Sequence, residues 1–278
     1  YISLGHLRVM TGGAGIVLEN GIGALHNYFD VFQTAEGDRT VLYQQLGKQL
    51  VSTASAKYKG LDGLSKFASE VFAQLLVQYN PILSMVEDNS FENLSSSGFL
   101  LKALQLRQIT TLRDLISKMQ SLATAAHPQT PSAIWNDCLL DVISVSNAYI
   151  ESFVFQQCYN QVSELKQKLA SSPSNSSEHD TLSATYRCIK AVSAVVGLGF
   201  IKEDIQFYMR SGFFSSKRCH FIEQSWIAMC LQLKEHHIED LLASSELVMD
   251  LYHAPQGQED GNYASHLIRA MKPSQAKL

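Results

Sequence analysis

Apolar residues recur at three- and four-residue steps along most of the chain, and the longest such run is Ser132 to Leu169. Between Cys138 and Tyr159 roughly two positions in three are apolar, far wider than the single stripe of a surface helix. A helix of that kind must be covered on most sides, so Ser132 to Leu169 is expected to be the central helix on which the others pack. Straight, it would run about 57 Å at 1.5 Å per residue, longer than a compact globule of this size is wide. It is therefore expected to bend near Ser144 to Asn147, or the protein is elongated.

The same periodicity predicts helices on either side. Ile16 to Gln33 carries Leu18, Ile22, Leu25, Phe29 and Phe32, interrupted by Gly21 and Gly23. Asp38 is placed to cap Arg39 to Lys57, and Leu64 to Tyr79 ends at Asn80-Pro81. Ser97 to Leu106 and Leu112 to Ala126 read as two helices separated near Thr110 and Thr111, and Pro128 and Pro131 then break the pattern. The low-complexity stretch Ser171 to Asp180 reads as a flexible loop between an N-terminal region, 1–170, and a C-terminal region, 181–278, the two packed as one domain.

Beyond it, a helix from Thr181 or Ser183 should end at Gly197 and Gly199, followed by Lys202 to Arg210, Lys217 to Lys234, Ile238 to Tyr252 and Tyr263 to Met271. No segment alternates with period two between turn signals, so no sheet is expected. The fold class is all-α: an irregular multi-helix bundle, or a HEAT- or armadillo-like stack of helical hairpins. No repeat of 33 to 47 residues supports the stack beyond helix length itself.

Charge narrows the function classes. The net charge is -4 and charged residues make up 17%, below the usual quarter. The densest basic group, Arg210, Lys217 and Arg218, is too small for a phosphate-backbone footprint, so no nucleic-acid partner is expected. Five cysteines without a CxxC pair, four of them in apolar helical runs, fit a reducing, intracellular setting. The sequons at Asn93 and Asn175 are the kind that arise by chance. No run of about 18 apolar residues is present, so no membrane span is expected. The first residue is Tyr1, which suggests a piece of a longer protein. Ala276-Lys277-Leu278 resembles a peroxisomal address if Leu278 is a natural terminus.

Candidate chemistry is sparse. Gly12, Gly13 and Gly15 precede a helix but lack the Lys-Ser/Thr of a P-loop and follow no strand. Glu235-His236-His237-Ile238-Glu239-Asp240 is the densest set of possible metal ligands. His236 and Asp240 share a face at i, i+4, but zinc needs three or four ligands, and the next would have to come from His220, His253 or His266. Cys219 and His220 are adjacent on a helix and point about 100° apart, so they do not converge on one reacting atom. There is no nucleophile elbow, HExxH or kinase set, and no cofactor is expected.

The aromatics Phe207, Tyr208, Phe213, Phe214, Phe221 and Trp226 lie in a glycine-broken region where complete burial is difficult, and form the candidate partner surface. The sequence thus reads as a non-catalytic scaffold or adaptor domain of an intracellular protein, gripping a helix or extended peptide in a groove between helices. The alternative is an all-helical enzyme or small-ligand carrier with its site near His236, His237 and Asp240.

Overall fold

The computed structural model describes residues 9–10, 22–30, 37–57, 66, 70, 95–173, 176–237, 239 and 262–271. Every regular element among them is helical, so the fold is all-α. The chain divides into two units, one comprising Tyr1–Leu42 with Glu239–Leu278, the other Tyr43–Ile238. The first unit holds α1 (Ile22–Asp30), the opening of α2 (Arg39–Lys57) and α9 (Tyr263–Met271). Asp38 caps α2 as its position suggests, its Oδ1 accepting from the backbone N–H of Thr40 at 2.8 Å and of Val41 at 3.3 Å. The expected helices at Leu64 to Tyr79 and Ile238 to Tyr252 lie almost wholly outside the described residues, as do Gly12, Gly13, Gly15 and Ala276-Lys277-Leu278.

The second unit is an irregular bundle of α3 (Ser97–Thr124), α4 (Pro131–Asp137), α5 (Leu139–Ser171), α6 (Ser177–Glu203), α7 (Ile205–Arg210) and α8 (Ser216–His236). α3 packs on α5 and α6, α5 packs on α6, and α6 also carries α8. The organising role expected of one helix is therefore shared by α5 and α6. Phe99, Leu104, Phe155, Leu198, Ile201 and Ile222 are buried to 1% exposure or less where these helices meet. Each such side chain contributes about 1.5–3 kcal/mol.

Four boundaries differ from those the sequence predicts, each for a local reason. The central helix does bend, but at Cys138, where α4 and α5 meet at 65°. Thr130 caps α4 with Pro131 at its first turn, and the Lys118 Nζ donates to the Asp137 carbonyl freed at the break, 3.3 Å away. α3 runs unbroken through Thr110 and Thr111, because the Thr111 hydroxyl donates back to the Arg107 carbonyl at 2.9 Å and Thr110 is buried.

α6 likewise runs through Gly197 and Gly199, which are close-approach positions and not stops. A Cβ at Gly197 would lie 2.5 Å from Phe155 Cε2 and 2.9 Å from Leu100 Cδ1. α6 also begins earlier than expected, at Ser177, with Ser176 accepting from the His179 N–H at 3.1 Å. It is long and apolar enough to cross a membrane by length and composition alone. In the bundle it packs on α3, α5 and α8, which bury 39% of that apolar window.

Candidate functional site

Arg107 sits in a run of buried positions on α3, at the spacing that Leu100, Ala103 and Leu104 set for the core face. A cation there requires partners, since an unpaired buried charge is heavily penalised. Its Nη1 donates to Glu151 Oε2 on α5, and its Nε lies 2.6 Å from Asp204 Oδ2 at the junction of α6 and α7. Asn147 donates to the other Glu151 oxygen at 2.6 Å, and the Tyr43 hydroxyl donates to Asn147 Oδ1 at 3.3 Å. Burial pushes the Glu151 carboxyl above its ordinary range, with Arg107 and Asn147 pulling the other way. The cluster ties α3, α5 and the end of α6 together, and with both its oxygens engaged Glu151 is no free carboxylate base. Sequence reasoning missed it. The available signal was a charge at a core-phased position of an otherwise apolar face.

The aromatic candidates fall on one side of this cluster. Tyr208 and Phe214 are in the core, at 0% and 3% exposure, stacked with ring centroids 4.8 Å apart. The Tyr208 hydroxyl donates to the Ala103 carbonyl at 3.2 Å, and burial raises its pKa steeply. Phe207 and Phe213 are half-buried with centroids 5.9 Å apart, and Phe221 and Trp226 are half-buried against the core. Lys202 Nζ lies 4.5 Å from the centre of the Trp226 ring.

The expectation that a glycine-broken segment resists burial fails at Tyr208 and Phe214, for a geometric reason. Gly212, at φ 72°, reverses the chain so that the N–H groups of Phe213 and Phe214 both bond the Tyr208 carbonyl. That turn folds the rings back onto α7. Exposed apolar side chains occur elsewhere, at Phe153 and Val154 on α5 and at Ile227 and Leu231 on α8. Phe153 stacks on half-buried Tyr149 at 6.2 Å.

The histidines do not converge among the described residues. His220 Nδ1 is 4.0 Å from Glu223 Oε2, and the His236 and His237 rings are 6.5 Å apart. No group of three possible metal ligands forms among the described residues, and Asp240 and His253 lie outside them. Cys219 is buried, which raises its thiol pKa, while the neighbouring His220 points to solvent.

A cavity of about 560 Å³ opens between α6 and α8, lined by Arg187, Lys190, Ala191 and Ala194 on α6, Met229 and Gln232 on α8, then His237, with Ser95 ahead of α3. Its floor is apolar and its rim cationic.

The acyl-CoA oxidase family model matches residues 96–276, which include every helix from α3 to α9. Peroxisomal acyl-coenzyme A oxidase 2 of Arabidopsis thaliana is 30% identical over 151 residues, 53% of this chain and 21% of that protein. A mouse acyl-coenzyme A oxidase-like protein is 27% identical over 156 residues, 54% of this chain and 23% of that one. Among solved structures, an acyl-CoA oxidase from tomato superposes with a TM-score of 0.71 at 17% identity, covering 99% of this chain and 38% of the other. Acyl-CoA oxidase 3 from Yarrowia lipolytica gives 0.69 at 17% identity, covering 99% and 36%. At such identities the structures establish a shared fold, and the chain spans about a fifth of the length of its curated relatives.

The family match overturns the reading of the chain as a non-catalytic scaffold or adaptor, and with it the expectation that it is no part of an enzyme. That expectation rested on the lack of a local catalytic motif, and this family is marked by similarity spread over the helices instead. The chain belongs to the acyl-CoA oxidase family.

Proposed function

We propose that the protein carrying this chain oxidises an acyl-CoA thioester with dioxygen as electron acceptor, and that this chain supplies a helical body of that enzyme. The observation that carries the reading is the family match over residues 96–276, which takes in the whole α3–α8 bundle. The buried pair of Arg107 and Glu151, with half-buried Asp204 beside it, suits a supporting role, since it ties α3, α5 and the end of α6 together. Electron transfer from a thioester to dioxygen requires a redox group. Among the described residues lining the cavity between α6 and α8 none offers an aromatic face to stack a conjugated ring, and no step is routed through it.

The test is oxygen uptake by the intact protein with acyl-CoA thioesters of graded chain length. Uptake with matching release of hydrogen peroxide is expected, and no uptake with any of them would refute the assignment.

We also propose a peroxisomal location, supported by the name of the Arabidopsis relative. A fluorescent fusion of the intact protein that remains outside peroxisomes would refute it. For the protein partner we propose a second copy of the chain, seated on the outward face of α5 formed by Tyr149, Ile150, Phe153, Val154 and Gln157. That face carries no charge to repel its own image and leaves Phe153 54% exposed.

A further inference from the structure

We propose that the cavity between α6 and α8 binds a small organic anion, a molecule with a phosphate or carboxylate head and a short apolar body. Arg187, Lys190, Ala191 and Ala194 stand at i, i+3, i+4 and i+7, so α6 presents a single face to the cavity that is cationic at one end and apolar at the other. Met229 of α8 completes the apolar end, and it, Ala191 and Ala194 are each 5% exposed or less. Gln232 and His237, from the last turn and cap of α8, add a neutral hydrogen-bonding group and an imidazole to the polar end.

Among the described residues that line the cavity none is a carboxylate, and Arg187 and Lys190 supply the formal charge. Ser95 lies just before the positive end of the α3 dipole and His237 caps the negative end of α8, so the two opposed helix ends leave the sign to Arg187 and Lys190. The volume of about 560 Å³ is that of a small-molecule site. Arg187 and Lys190 are themselves exposed, so a charged head would remain partly hydrated while its chain covers the buried floor. This division of labour selects an amphiphilic anion over a bare one.

Calorimetric titration of the intact protein with octyl phosphate, octanoate, inorganic phosphate and octyl glucoside tests the proposal without requiring turnover, so its outcome is separate from that of the oxidase reading. Octyl phosphate or octanoate should bind at least tenfold more tightly than inorganic phosphate, the tighter of the two identifying the head group, and octyl glucoside should give no saturable heat. The paired substitution Arg187→Gln with Lys190→Gln should weaken the amphiphile at least tenfold with an unchanged circular-dichroism spectrum. No saturable heat from either amphiphile, equal binding of octyl glucoside, or equal affinity in the substituted protein would overturn it.

Discussion

Replacing Gly197 with alanine isolates the closest approach in the bundle. In a free helix the change is favourable by about 1 kcal/mol, because glycine loses more backbone freedom on folding than alanine does. Here the new methyl would lie 2.5 Å from Phe155 Cε2, 2.9 Å from Phe155 Cζ and 2.9 Å from Leu100 Cδ1. Both neighbours are at 0% exposure, so neither can swing into solvent to make room. Forcing a methyl into a filled core costs about 1–3 kcal/mol, with the upper part of that range expected where the obstruction is a buried ring. The net effect is a destabilisation of about 1–2 kcal/mol, equivalent to a melting-temperature loss of roughly 2–8 °C for a unit of this size.

Gly199→Ala is the internal control. It gains the same helix propensity, and its methyl would meet only Trp226 Nε1 at 3.3 Å, the edge of a half-buried ring. It should be neutral or slightly stabilising. Urea denaturation followed at 222 nm, compared at constant m-value, reads both. Phe155→Leu should cost less in the Gly197→Ala background than in the parent, since the smaller side chain relieves the clash. If Gly197→Ala proves as stable as the parent, or if the two glycines respond alike, the close approach of α6 to α3 and α5 is wrong.

Other expectations follow from the buried polar groups and the outward face of α5. The folded-state pKa of Glu151 is raised by burial, so the folded protein holds that proton more strongly than the unfolded chain. Its contribution is therefore complete below the unfolded value of about 4.5 and is lost as pH rises through the folded one; Glu151→Gln should flatten this fall in a pH series of urea titrations. Tyr208→Phe removes one buried hydrogen bond, to the Ala103 carbonyl, and should cost about 1 kcal/mol. An alkaline titration at 295 nm should show one fewer tyrosine silent up to unfolding than in the parent. Phe153→Glu should lower the mass measured by light scattering from that of a dimer to that of a monomer, and an unchanged mass would remove α5 from the interface.

The presence and type of the helices were legible because the apolar spacing is strong, and the Asp38 cap could be read from a single carboxylate. The interruptions were not. Thr110-Thr111 and Gly197-Gly199 weaken a helix in isolation, and tertiary contacts override that tendency. Thr111 bonds back to its own helix, and Gly197 is small because Phe155 occupies the space beside it. The bend at Cys138 was misplaced for the converse reason. Nothing in Ala133 to Val142 breaks a helix by propensity, and the freed Asp137 carbonyl finds its partner in Lys118, on a different helix. Tyr208 and Phe214 belong to the core and not to the surface because one positive φ at Gly212 folds the chain back on α7, and sequence spacing does not carry that sign.

The error about catalysis has a different origin. Inferring no enzyme from no motif treats a chain as if it held a whole reaction centre, and motif-based readings work best where a nucleophile, a base and an anion hole lie close in sequence. In this bundle the buried charges Arg107 and Glu151 serve its assembly. Glu151 has one oxygen on Arg107 and the other on Asn147, and Arg107 spans three helices. A charge spent on packing is invisible to a motif search, because Arg107 and Glu151 stand 44 residues apart in sequence and pair only once α3 and α5 have come together, with Asp204 joining from the end of α6.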